Sequence, residues 1–325
     1  MKQLPLAKYL PNVSNLAFGC MGLGGGWNQE PVSKQDLDTA HKAVDAALEQ
    51  GINFFDHADI YTMGKAEQVF GQLLKQRPEL RSQIYLQSKC AIRFEDTLGP
   101  GRYDHSEQWI VSSVEGILTR LGIEQLDVLL LHRPDPLMAP EEVAITFEKL
   151  IADGKVKHFG VSNMHRHQME LLNRFLPSPL VVNQVEMSLA KTAFLDQGVT
   201  VGMPESAEAG FDTGLLEYCQ LNDIQIQSWG SLAQGLFSGK DVSQAPENAR
   251  KTAQLASELA NKYDTSSEAI VLGWLMKLPQ RIQPVIGTIN PSRIAACADA
   301  LDISEKLTRE DWYRLFVSSR GKAMP

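Results

Sequence analysis

Three hundred and twenty-five residues is about twice a common domain, so the chain holds either two domains or one large barrel. Hydrophobic residues at 43% and charged residues at 22% supply a sizeable core and exclude wholesale disorder. Thirty-one Lys and Arg against 39 Asp and Glu leave a net charge of −8 without any block of like charge, which argues against nucleic acid or an anionic membrane as partner.

In chain order, the first residues carry Lys8, Pro11, Asn12, Ser14 and Asn15 where a secretory signal would need an apolar core. No later apolar run reaches the ~20 residues of a membrane span. Four scattered cysteines, Cys20, Cys90, Cys219 and Cys297, include no Cys-x-x-Cys pair. Together these features predict a cytoplasmic protein with reduced thiols. Strands are expected at 16–21, 52–55, 84–87, 127–131, 156–161, 180–183, 224–228 and 284–286, mostly as continuous apolar runs of the kind a parallel strand covered on both faces requires. Helical periods lie between them. Ser33 and Asp36 cap one that ends at Gly51, Ser106 caps another that ends at Gly122, and Pro140 opens a third that ends at Gly154. No linker interrupts the alternation. Eight strand-helix units predict an α/β fold, a (β/α)8 TIM barrel over residues 1–325, with an N-terminal extension and long loops at the C-terminal mouth. Segments 91–105 and 187–213 and the tail after Arg320 fall outside the alternation. The first two follow strands, so they either cover a pocket at the mouth or are plain surface insertions.

The chemistry gathers at strand ends. Asp56, Lys89, His132, Ser162 with Asn163, Gln184 and Trp229 each stand at the close of an apolar run. A parallel barrel opens all those ends on one face, so residues a hundred positions apart become neighbours. Taken singly, Asp56 reads as a loop or cap residue, Tyr61 as a half-buried aromatic, Lys89 as a solvated strand end and His132 as a satisfied core histidine. Together an Asp, a Tyr five residues later, a Lys and a His make a proton-transfer constellation. No metal is expected: a His-Glu-x-x-His motif and an acidic ligand cluster are both missing, and His165 and His167 lie two apart. Gly19, Gly22 and Gly24 to Gly26 do not fit Gly-x-Gly-x-x-Gly and read as a flexible turn. The run from Gly235 to Lys240 is too short for a P-loop. A dinucleotide would therefore bind without a Rossmann domain.

The segments Phe55-Asp56-His57-Ala58-Asp59-Ile60-Tyr61, Gln87-Ser88-Lys89, Leu130-Leu131-His132-Arg133-Pro134, 154–163 and Asn183-Gln184-Val185-Glu186 resemble the aldo-keto reductases in order and context, over about 16–320. The wording around His132 resembles the YdhF-type bacterial branch of that family. The resemblance implies a barrel that binds NADPH in extended form, with NADH as an alternative, and a small-molecule carbonyl substrate. It implies a monomer or weak homo-oligomer. Tyr61 would be the proton donor to the carbonyl oxygen, with Lys89 lowering its pKa, Asp56 holding Lys89, and His132 hydrogen-bonding the substrate oxygen. Ser162, Asn163 and Gln184 would meet the nicotinamide carboxamide. Trp229, where a tyrosine is more usual, would stack beneath the ring or else belong to the core. Ser231, Leu232, Ala233, Gln234 and Gly235 would wrap the pyrophosphate, and Thr288 and Arg293 would face the 2′-phosphate. Trp27 would wall the substrate pocket opposite 91–105. Three departures stand out: Gly287 replaces a frequent Lys or Arg, Ala296 and Cys297 replace Glu and Asn, and Thr62 replaces the usual Gly after the tyrosine. The implied activity is reduction of an aldehyde or ketone. The alternative is a regulatory protein that keeps barrel and cofactor, as potassium-channel β subunits do, and the full set of Asp56, Tyr61, Lys89 and His132 favours the enzyme.

Overall fold

The computed structural model describes residues 3–205 and 210–325. Eight parallel strands form a closed barrel: β1 Ala17–Gly19, β2 Phe54–Asp56, β3 Tyr85–Cys90, β4 Leu126–Leu131, β5 Val156–Ser162, β6 Val182–Glu186, β7 Gln225–Trp229 and β8 Gln283–Ile286. Each pairs with its neighbours in chain order, and β8 closes on β1 through Ala17 opposite Val285 and Phe18 opposite Ile286. Every predicted strand is present, with ends moved by a few residues. The instructive shift is in β3. Ser88, Lys89 and Cys90 pair with Leu129, Leu130 and Leu131, so the strand runs through Lys89 instead of stopping at Gln87.

The helices that cover the barrel begin and end where local chemistry says they should. α1 (Lys34–Glu49) opens on a capping box in which Ser33 and Asp36 bond each other's backbone N–H, and its buried face is Ala40, Ala43, Val44, Ala46 and Ala47. α2 (Lys65–Gln76) and α3 (Glu107–Leu121) approach closely because Gly71 has no side chain: a Cβ there would lie 2.1 Å from the Arg120 carbonyl oxygen. Ser106 caps α3 through the Trp109 N–H, and Gly122 ends it in the left-handed conformation at φ 65°. Pro140 is the first residue of α4 (Pro140–Ala152), where its missing N–H costs nothing.

The N-terminal extension is a floor. A 3-10 turn at Pro5–Lys8 buries Leu4, Leu6, Leu10 and Val13 against Phe54, Val128, Leu130, Val181, Val182 and Val285. Leu6 is fully buried, a contribution of roughly 1.5–3 kcal/mol by area. Segment 91–105 is structured rather than aperiodic: Ile92–Arg93 and Arg102–Tyr103 form an antiparallel hairpin, held by Arg93 on Asp96 and Asp104 and by Arg102 on Asp96. Segment 187–213 contains a helix at Ala193–Val199, and its residues 206–209 lie outside the described residues. Among the described residues no helix is long and apolar enough to cross a membrane, and no three His, Cys, Asp or Glu side chains cluster as a metal site would need.

Candidate active site

At the C-terminal ends of the strands lies a cavity of about 660 Å³, within the usual range for a small-molecule site. It is lined by Asp56, Tyr61, His132, Ser162, Asn163, Gln184, Trp229, Ser231, Leu232, Gln234, Gly235, Gly287, Thr288, Arg293 and Trp27. The predicted site residues meet here except Ala233, which does not line the cavity, and Lys89, which lies beneath the surface and reaches it through Tyr61. A wider groove of about 1250 Å³ between α2 and α3 on the barrel's outside carries none of them.

Lys89 is fully buried and its Nζ lies 2.7 and 2.8 Å from the Asp56 carboxylate oxygens, 2.8 Å from the His57 carbonyl oxygen and 3.0 Å from Tyr61 Oη. An ammonium has three protons, and these three groups take them. Tyr61 therefore accepts from Lys89, which leaves its own proton free for an acceptor in the cavity. Burial alone would lower the Lys89 pKa, but Asp56 and then Tyr61 outweigh it and the net direction is up. The ammonium stays charged.

Lys89 lowers the Tyr61 pKa as expected, but the net direction is up. Burial raises the Tyr61 pKa more than Lys89 lowers it, and Asp56 adds to the rise. The main physical reason is burial, which disfavours the phenolate, and the Asp56 charge beside Lys89 offsets part of what the ammonium lowers. Tyr61 is accordingly a protonated phenol throughout the physiological range. His132 stands edge-on to it, ring centroids 6.0 Å apart. Burial first, then Lys89 and Arg133, push the His132 pKa down to about 2, so the imidazole is neutral. Its Nδ1 is buried without a partner among the described residues.

At the other side of the cavity Ser162 Oγ donates to the Gln184 carbonyl oxygen at 2.9 Å, Asn163 Nδ2 donates to Ser162 Oγ at 2.7 Å, and Trp229 Nε1 donates to Asn163 Oδ1 at 3.1 Å. Asn163 holds the left-handed conformation at φ 56°, a strained backbone of the sort found at functional sites. Trp229 thus belongs to the cavity wall and not to the core. The loop after it also carries positive φ at Ala233, Gln234 and Gly235. Ser231 is buried and its hydroxyl donates to the Ser228 carbonyl oxygen at 2.6 Å. Arg293 Nη2 donates to Ser238 and its Nε lies 3.3 Å from Glu268 Oε1. Its guanidinium lies against Gly235, where a Cβ would come within 3.0 Å of Nη2. Trp27 is 52% exposed at the rim.

Thr62, in place of glycine, sits at φ 48° with its hydroxyl donating to the Leu23 carbonyl oxygen at 2.9 Å. That bond offsets part of the strain a β-branched residue meets there. Sequence reasoning missed Arg133, whose guanidinium carbon is 5.9 Å from the Trp229 ring centre, and the lining residues Met21, Ile60 and Ile92. It also passed over Gln227 and Gln283 inside the barrel. The signal was Gln225-Ile226-Gln227: polar residues alternating in a strand buried on both faces require paired amides in the interior.

The model of the aldo/keto reductase family matches residues 15–316. The chain belongs to that family. It is an oxidoreductase of the class that reduces carbonyl groups. It is similar to the oxidoreductase YdhF of Escherichia coli, 34% identical over 87% of this chain and 88% of that one. It is 32% identical to a 6-dehydroglucose reductase of Agrobacterium fabrum over 99% of both chains. A Klebsiella pneumoniae aldo/keto reductase, solved with NADP and acetate, is similar in fold, with a TM-score of 0.69 at 22% identity over 93% of this chain and 90% of that one.

Proposed function

We propose that this aldo/keto reductase reduces an aldehyde or ketone to an alcohol with NADPH, Tyr61 giving the proton. The observation that carries the reading is the Lys89 ammonium, whose three protons go to Asp56, the His57 carbonyl and the phenol oxygen. The phenol proton is thereby aimed away from Lys89. Asp56 keeps the ammonium in place, and the neutral His132 offers a hydrogen bond to the carbonyl oxygen and sets its angle of approach.

The cavity suits a nicotinamide dinucleotide. Amide and hydroxyl groups of Ser162, Asn163 and Gln184 lie at one end, Trp229 between, and Arg293 at the other, beside a glycine that leaves room for a close backbone approach. When bound, the nicotinamide supplies the hydride. Ser162, Asn163 and Gln184 would hold its carboxamide, Trp229 its ring, the backbone of 231–235 the pyrophosphate, and Thr288 with Arg293 the 2′-phosphate, Gly287 leaving open space beside them. Trp27, Ile60 and Ile92 give the substrate an apolar wall, with Arg133 as a cation at the rim. The solved relative that holds NADP supports the cofactor reading, and the 6-dehydroglucose reductase supports a small aldehyde as substrate.

The test is direct. Purified protein is mixed with NADPH and a panel of aldehydes, sugar-derived ones included, and absorbance of the reduced cofactor is followed. Turnover on at least one is expected; NADPH binding without turnover on any would point to a regulatory role instead.

A further inference from the structure

Beneath the cavity floor four glutamine side chains from β3, β6, β7 and β8 form one hydrogen-bonded run. Gln87 Nε2 donates to Asp56 Oδ1 at 2.6 Å and to Gln227 Oε1 at 2.8 Å. Gln184 Nε2 donates to the same Gln227 oxygen at 3.0 Å. Gln227 Nε2 donates to Gln283 Oε1 at 2.9 Å, and Gln283 Nε2 donates to the Ser14 carbonyl oxygen at 2.7 Å. All four side chains are buried.

A side-chain amide can be turned end for end, and because both ends of this run meet groups that only accept, its polarity is set from each end and must reverse at one residue. The Ser14 carbonyl only accepts, so Gln283 must turn its NH2 to Ser14 and its oxygen to Gln227. Gln227 must then give its NH2 to Gln283 and its oxygen to Gln87 and Gln184. At the other end the Asp56 carboxylate only accepts, so Gln87 turns its NH2 there too. Both Gln87 amide protons are then engaged, and its Oε1 is left buried without a partner among the described residues. Gln184 is held by its nitrogen, which leaves its Oε1 for the cavity it lines.

We propose that Gln227 is a positioning residue: by accepting from Gln184 Nε2 it fixes the Gln184 amide with its oxygen toward the ligand, so that the site takes the amino side of a carboxamide. The inference rests on the reading of this cavity as a nicotinamide site. The same Gln227 oxygen also receives Gln87, which bonds Asp56, so one acceptor atom joins the carboxamide end of the site to the proton-donating end.

The experiment compares two ligands on the full chain, NADP+ and adenosine 2′,5′-bisphosphate, which carries the adenosine 2′-phosphate end but no carboxamide. Kd values are measured for the parent, Gln227→Leu and Gln283→Met. In Gln227→Leu the Kd of NADP+ should rise roughly three- to tenfold, the size of one ordinary hydrogen bond, while that of the bisphosphate stays within about twofold. A purely structural role would weaken both ligands alike. An unchanged ratio of the two Kd values in Gln227→Leu overturns the proposal. Should that variant not fold, Gln283→Met, which breaks the polarity away from the cavity, decides in the same way. A parent that binds neither ligand would instead sink the nicotinamide reading, and the positioning role with it.

Discussion

Lys89 is buried with a full set of acceptors, and that one fact orders the residues around it. With the ammonium proton on Tyr61 Oη at 3.0 Å, the phenol can only give its proton elsewhere. Tyr61→Phe removes the donor and keeps the ring, so kcat should fall roughly 10²- to 10⁴-fold with the Kd of NADPH nearly unchanged. Steady-state rates and fluorescence titration check both halves, and normal turnover would remove Tyr61 from the mechanism. The pH dependence follows from the same groups. His132 is held down to about 2 and Tyr61 is pushed above its ordinary value by burial. Reduction should therefore show no step near the usual histidine value of about 6.5, and kcat/KM should fall only at alkaline pH as the phenol loses its proton. An inflection in the histidine range that disappears in His132→Gln would show that the imidazole is charged in the working site. At the far end of the cavity, Arg293→Ala should weaken NADPH more than NADH, and equal weakening would show that Arg293 does not read the 2′-phosphate. The sequence shows Asp56, Lys89 and His132 because each closes an apolar run, with Tyr61 five residues after Asp56, whereas Arg293 comes from the family resemblance. Gln227 and Gln283 were not legible in that way, since they lie within strands and their meaning depends on partners on other strands.

At the scale of elements, the turn between β2 and α2 carries the tension of the site. Thr62 and Met63 both have positive φ, at 48° and 62°. Thr62→Ala would keep the Cβ strain and lose the bond to the Leu23 carbonyl oxygen, whereas Thr62→Gly would lose the bond and release the strain. The alanine variant should thus unfold more easily than the glycine variant, by on the order of 1 kcal/mol in denaturant titration. Just before this turn Asp59 has Oδ1 buried without a partner, and burial first, then the charge of Glu67, push its pKa up to about 7. The folded chain therefore keeps a proton that the unfolded chain releases at about 3.9. The stability from it is whole below that value and is lost as pH rises through about 7. Asp59→Asn should raise Tm more at about pH 8 than at about pH 5, and an equal gain at both would assign the effect to packing. The chain alone shows Thr62 at a glycine position, but neither the backbone it takes there nor the burial of Asp59. The two-residue strands of the 91–105 hairpin were equally hidden, because they are too short to show a period and are held by Arg93 and Arg102 on Asp96 and Asp104 rather than by apolar contacts.

The whole molecule depends on joining its two ends. The last strand, β8, pairs with the first, β1, across more than two hundred and sixty positions, and Gln283 reaches the Ser14 carbonyl from the same seam. The eight strands were legible because a parallel strand covered on both faces must be apolar throughout, whatever its partner. The floor was legible only as an extension, since nothing in residues 3–13 states that Leu4, Leu6 and Leu10 would face the barrel's lower end. That floor shields the strand starts from water opposite the catalytic mouth, so its packing should act on stability and leave the chemistry alone. Leu6→Ala removes a fully buried side chain, and the cavity left behind should cost about 2–5 kcal/mol of unfolding free energy. Because Tyr61, Lys89 and His132 stand at the other end of the strands, kcat at a temperature where the variant is folded should match the parent. A cost under about 0.5 kcal/mol would mark the N-terminal turn as a loose cover. A fall in kcat at full folding would show instead that the floor is mechanically coupled to the site, through Ser14 and the glutamine run.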